Sequence, residues 1–120
     1  MEIKQSFIIS PLPMNLNKYR NAHFQVINKH KILFEAITQQ AVINNNIKPM
    51  KWANITFTFW FKDKRRHDPD NYALCAKFIF DGIVKAGILE DDNFDYVREF
   101  KVRQGGINNE PYILVEMESE

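Results

Sequence analysis

Apolar and polar residues alternate along Asn54-Ile55-Thr56-Phe57-Thr58-Phe59-Trp60-Phe61, which puts Ile55, Phe57, Phe59 and Phe61 on one face of a strand. A shorter run, Gln5 to Ser10, predicts a first strand that stops at Pro11 and Pro13. A polar connection from Asn15 to Asn21 follows, and apolar residues then return at helical spacing: Phe24, Ile27, Phe34, Ile37 and Ala41. They predict a helix from Ala22 to Ile43, ended by Asn44-Asn45-Asn46 and Pro49. A second helix is expected from Asp68, with Asp68 as cap, Pro69 at the first helical position and Asp70 in the first turn. Gly87 is its natural stop. At 100° per residue, Asp70, Lys77, Asp81 and Lys85 share a narrow stripe with Leu74, opposite a wide apolar arc of Tyr72, Cys75, Ala76, Ile79, Phe80, Ile83 and Ala86. Tyr96 to Arg103 and Tyr112 to Glu118 read as closing strands, with Gly105-Gly106 in a hairpin loop between them. The order β-α-β-α-β-β predicts one α+β domain over residues 1–120, two helices on a mixed sheet.

Composition supports a folded domain of this size, with 45% apolar and 26% charged residues and one core. No apolar run approaches the roughly 20 residues that would cross a bilayer. The opening residues lack the charged-then-apolar layout of a secretory signal, so a cytoplasmic location is expected. A single cysteine, Cys75, excludes an internal disulfide framework and a cysteine-based zinc site.

The net charge of +1 conceals an asymmetry. From Ile3 to Lys62 the only acid is Glu35, against Lys4, Lys18, Arg20, Lys29, Lys31, Lys48, Lys51 and Lys62. Such a layout suits a positive face for a polyanion and a separate acidic spot, and equally a solvated basic surface with no ligand.

The acidic spot is where chemistry concentrates. Phosphodiester hydrolysis needs a water activated near neutral pH and charge stabilisation on the phosphate, both of which Mg²⁺ supplies. Mg²⁺ takes oxygen ligands and is usually held by one or two carboxylates with water and phosphate. Asp68 and Asp70 lie one residue apart at a helix start, Asp91 and Asp92 offer further carboxylates, and Lys64-Arg65-Arg66-His67 directly precedes the first pair. Each residue also has a plain structural reading. Asp68 is a helix cap, Asp70 a first-turn charge, Lys77 an i,i+4 partner of Asp81, and Asp91-Asp92 a polar turn.

Taken together, the stretch Arg66-His67-Asp68-Pro69-Asp70-Asn71-Tyr72 and the run from Lys77 through Asp81 and Ala86-Gly87 to Asp91-Asp92 resemble the RusA family of Holliday-junction resolvases. The likeness is strongest over residues 64–97. It implies a homodimeric, Mg²⁺-dependent endonuclease (Mn²⁺ being an alternative) that resolves four-way DNA junctions by paired symmetric nicks. Such enzymes serve DNA recombination and repair and are often encoded by phages and prophages. Asp68, Asp70 and Asp92 match the family's catalytic, metal-binding aspartates, with Asp91 a further candidate ligand. Lys77 matches its catalytic lysine when counted back from Asp81; counted forward from Asp70, that position falls on Leu74, on the same helix face. Lys18, Arg20, Lys64, Arg65, Arg66, His67 and Asn71 are the expected nucleic-acid contacts. Two other readings stand beside this one: a nuclease of the same chemistry acting on flaps or simple duplex, and a non-catalytic DNA-binding module.

Chain reach bears on how the carboxylates meet. A helix over residues 69–86 is about 27 Å long, and residues 87–92 retrace at most about 20 Å. Asp92 is therefore expected to complete the site of the other subunit in an intertwined dimer.

Overall fold

In the computed structural model, the described residues are 2–12, 23–64, 67, 72 and 76–119. They form β1 (Ile3–Ile9), α1 (Phe24–Asn44), β2 (Ala53–Phe61), α2 (Ala76–Lys85), β3 (Val97–Ile107) and β4 (Tyr112–Ser119). The expected α+β domain, its element order and its mixed sheet are all present. The sheet runs β1-β4-β2-β3, with β4 antiparallel to both β1 and β2 and with β3 parallel to β2. A parallel pair needs a crossover between its strands, and α2 lies in that crossover.

Alternation in β2 works as the sequence predicts. Ala53, Ile55, Phe57, Phe59 and Phe61 are buried, and with Phe7, Ile9, Ile113, Val115 and Met117 they face Phe34, Val42, Ile79 and Ile83 of the helices. Phe80 of α2 and Phe100 of β3 meet Phe57 edge-on or tilted, at 5.6 and 5.1 Å between ring centres. Tyr72 is helical and is buried against Phe59 and Phe61. Residues 68–71 and 73–75, Cys75 among them, lie outside the described residues, as does the expected connection from Asn15 to Asn21.

The expected hairpin between the last two strands is not formed. Gly105 and Gly106 belong to β3 itself, and β4 passes to the other side of β2. The glycines serve a side chain instead of a turn. A Cβ on Gly105 would lie 2.4 Å from the Trp60 ring, and the pairing shifts there, from Phe59 with Gln104 to Trp60 with Gly106. Gly105 is thus the extra residue of a bulge over which the indole lies, with Tyr112 stacked on it at 5.6 Å.

The first helix also departs from expectation in detail. His23 caps it, its Nδ1 accepting from the Gln25 amide, and Phe24 is 75% exposed instead of facing the core. The buried face is built on Phe34, Glu35, Thr38 and Val42. Thr38 turns its hydroxyl back to the Phe34 carbonyl at 2.7 Å, which leaves its methyl free to pack. At that point α1 meets α2 at Gly82, where an added Cβ would be 2.6 Å from Thr38 Cβ and 3.0 Å from the Glu35 carbonyl.

Helix propensity alone would favour alanine at position 82 by about 1 kcal/mol. Crowding against Thr38 opposes it, and overpacking of this kind typically costs about 1–3 kcal/mol. Gly82→Ala is therefore expected to lower the urea midpoint without changing the slope of the unfolding curve. A more stable variant would mean that the helices do not cross tightly here.

Candidate active site

The end of α2 determines where the downstream aspartates go. Gly87 takes φ +80°, its amide donates to the Val84 carbonyl and the Ile88 amide donates to the Ile83 carbonyl. Together they form a Schellman cap. Ile88 and Leu89 are buried immediately after it, and the Met50 amide donates to the Ile88 carbonyl at 2.8 Å. The chain is thus pinned as it reverses and runs back beside α2.

Residues 90–96 then fold into a tight turn held by their own side chains. Asp91 Oδ1 accepts from the Asp92 amide at 2.8 Å, Asn93 Oδ1 accepts from the Asp95 amide at 2.9 Å, and the Tyr96 hydroxyl donates to Glu90 at 3.2 Å. Such side-chain-to-backbone bonds mimic backbone turns and fix the loop locally. Asp91 is spent in this way: its other oxygen faces the Asn93 amide group at 3.4 Å.

The turn delivers Asp92 to Lys77. Lys77 Nζ donates to Asp92 Oδ2 at 2.8 Å and lies 3.1 Å from Asp81 Oδ1 one helical turn on. Asp92 is mostly covered, with 19% of its side chain exposed, whereas Lys77 is 61% exposed. The hydrogen bond from Lys77 holds the Asp92 carboxyl below the usual carboxylate range, and the same bond, with Asp81 beside it, raises the Lys77 ammonium above its ordinary value. Lys77, Asp81, Asp91 and Asp92 line one groove of about 280 Å³ with Lys31, Glu35, Val84 and Lys85.

Of the residues singled out in the sequence, Lys77, Asp91 and Asp92 are therefore brought together, while Asp68, Asp70, Asn71, Lys18, Arg20, Arg65 and Arg66 lie outside the described residues. Lys64 is exposed. His67 is packed flat against Phe61 at 3.8 Å, with Nδ1 3.0 Å from the Tyr72 hydroxyl and Nε2 3.8 Å from Asp63. Only 18% of its side chain is exposed, so it joins the end of β2 to Tyr72. Glu35 escaped the sequence reading. The signal was present: the lone acid of a basic half, four residues after Lys31 on the same helix.

Asp92 comes level with Lys77, about 15 Å back from Gly87 along α2, within one chain. Asp70, on which the expected sharing of the site between subunits rests, lies outside the described residues.

As donors for a divalent cation, these groups are chemically suitable: aspartate oxygens, hard ligands of the kind Mg²⁺ prefers. Among the described residues no three His, Cys, Asp or Glu side chains gather to hold a metal, and Asp68 and Asp70 are not among them. No helix of the described residues is long and apolar enough to cross a membrane. No protein-family model matches the chain, and no curated protein matches it.

The pair has a pH signature. A lowered Asp92 pKa contributes stability above the ordinary aspartate value of about 4, lost as pH falls through the lower folded value. A raised Lys77 pKa contributes below the ordinary lysine value of about 10.4 and is lost only as pH rises beyond it. Asp92→Asn should therefore cost about 0.2–1 kcal/mol near neutrality, the range of exposed pairs. The difference from the parent should close in acid as pH falls through the lowered folded value, as measured by urea unfolding across pH. A difference that persists unchanged at pH 2 would mean that the carboxylate's charge is not what stabilises the turn.

Proposed function

We propose that this protein is a Mg²⁺-dependent endodeoxyribonuclease that resolves four-way DNA junctions by paired nicks, acting as a homodimer. The observation that carries the reading is the contact between Lys77 and Asp92. These residues are fifteen positions apart, and the resemblance to the RusA resolvases assigns both to one catalytic site. The turn at residues 88–96 exists in a form that joins them, beside a groove flanked by further lysines.

In this reading Asp68, Asp70 and Asp92 hold the metal, which supplies an activated water and charge stabilisation on the scissile phosphate. Asp91 supports Asp92 from behind through the backbone amide it accepts. Lys77 lies against Asp92 and carries a charge that its surroundings stabilise, so it remains an ammonium throughout the physiological range. Its place is beside the developing negative charge of the phosphate, where a fixed cation is worth most. Lys18, Arg20, Lys64, Arg65 and Arg66 are assigned to the DNA backbone. A two-fold dimer suits a junction, whose near-symmetric strands need two matched cuts.

The Lys77–Asp92 contact within one chain favours sites that each belong to one subunit. Mixing Asp70→Asn with Asp92→Asn subunits tests this. Self-contained sites recover no cutting from the mixture, whereas sites shared across the dimer recover one intact centre per heterodimer.

Activity itself is tested on a synthetic four-way junction with and without Mg²⁺, with linear duplex and a flap at equal concentration. Metal-dependent, paired nicking of the junction is expected. Asp70→Asn or Asp92→Asn should remove at least 10²-fold of the rate while leaving junction binding intact, since lost transition-state stabilisation of about 2.7 kcal/mol corresponds to that factor. Undiminished cutting by either variant would remove that residue from the mechanism. Equal cutting of flap or duplex would assign the same chemistry to another substrate.

A further inference from the structure

The groove that holds Lys77 and Asp92 continues along α2 to a second group of charges that the proposed mechanism leaves without a role. Lys31 and Glu35 of α1 and Lys85 of α2 line that end. Glu35 is the unusual member, a carboxylate with only 8% of its side chain exposed. Its Oε2 accepts a hydrogen bond from Lys85. Its Oε1 is buried, accepts no hydrogen bond among the described residues, and lies 3.9 Å from Lys31 Nζ. The lysines remain open, with 45% and 56% of their side chains exposed. The result is a carboxylate floor beneath two half-exposed ammonium groups.

Stability is a weak reason for such a trio. A buried carboxylate costs several kcal/mol in desolvation, and apolar replacements for buried ion pairs are often neutral or stabilising. Binding is a better one. A lysine on a flexible stem loses much freedom when it grips a ligand, and a buried counter-ion that already holds the ammonium removes part of that cost. An ammonium also has three donors, so a bond to Glu35 leaves others for a phosphate oxygen. Lys85 lies eight residues beyond Lys77 on the same stripe of α2, about 12 Å along the helix.

We propose that Glu35 is a positioning residue that holds Lys31 and Lys85 as a second phosphate-binding point, for a backbone phosphate of the same DNA strand whose scissile phosphate lies at Lys77 and Asp92. This rests on the nucleic-acid reading above and deepens it by giving the strand a direction along α2. Neither lysine belongs to the metal-binding or catalytic set, so their loss weakens binding without removing the chemistry.

The test is binding of a fluorescently labelled four-way junction, in the absence of divalent cation, as salt is raised from 50 to 200 mM. Each phosphate contact contributes about 0.9 to the slope of log affinity against log salt. Lys31→Gln and Lys85→Gln should each reduce that slope by about one, so that the fourfold rise in salt costs each about 3.5-fold less affinity than it costs the parent. Glu35→Gln distinguishes positioning from bulk charge. Removing a negative charge should tighten binding to a polyanion if charge alone matters; loss of the anchor should weaken it by about threefold or more, the worth of one contact over this salt range. Thermal unfolding of each variant accompanies the titration, and if Glu35→Gln does not fold, the two lysine slopes decide. Equal or tighter binding by folded Glu35→Gln, or unchanged slopes for both lysine variants, overturns the proposal. If the parent nicks junctions and these variants bind like the parent, only the second phosphate point fails. If the parent binds no DNA, the nuclease reading fails with it.

Discussion

The reversal of the chain at Gly87 is the constraint on which the rest of the candidate site depends. An α-helix separates its ends by its own length, so a residue that follows it approaches its side only if the chain turns back within one or two residues. Here a left-handed glycine, two cap bonds and the burial of Ile88 and Leu89 make that turn. The Met50 amide fastens it to the segment leading into β2. The Asp91 and Asn93 side chains then stiffen the next few residues. Asp92 is presented by a rigid support, as a group must be if small displacements are to matter to chemistry.

The electrostatics of the groove follow from two helices brought unusually close. Gly82 lets α1 settle onto α2 at Thr38, and that approach sets Glu35 within reach of Lys85. Along α2 the sequence Lys77, Asp81, Lys85 alternates in sign at four-residue spacing, and Asp92 and Glu35 add a carboxylate at either end. No single pair here is worth much to stability. Their value is in arrangement: every ammonium along this stripe is held by a carboxylate that is less exposed than itself.

Much of this was legible in the residues. Strict alternation in β2 and the Gly87 stop of the second helix are local features, written in a few adjacent positions, and the element order followed from such signals. What stayed hidden was set by contacts distant in sequence. Two glycines in succession near a strand end resemble a turn, and only the position of Trp60 shows them to be a place for its ring. Likewise nothing local tells which neighbour β4 will choose. Spacing put Lys77 on the polar stripe with Asp81, but its meeting with Asp92 depends on how the chain leaves the helix. Glu35 was visible only as an oddity of charge until α2 was laid against it. Phe24 shows the reverse error, an apolar residue at the right spacing but beyond the end of the surface it would have packed on.

The bulged strand β3 has a consequence for how the molecule behaves in a crowded solution. It is an outer strand of the sheet, and an outer strand offers unpaired amides and carbonyls to any other extended chain. The register slips twice along it, skipping Arg98 near one end and Gly105 near the other. A straight incoming strand cannot follow both slips, and Arg98, Glu99, Lys101 and Arg103 would be crowded against it. The same irregularity that seats an indole ring thus guards the open side of the sheet against runaway cross-strand aggregation.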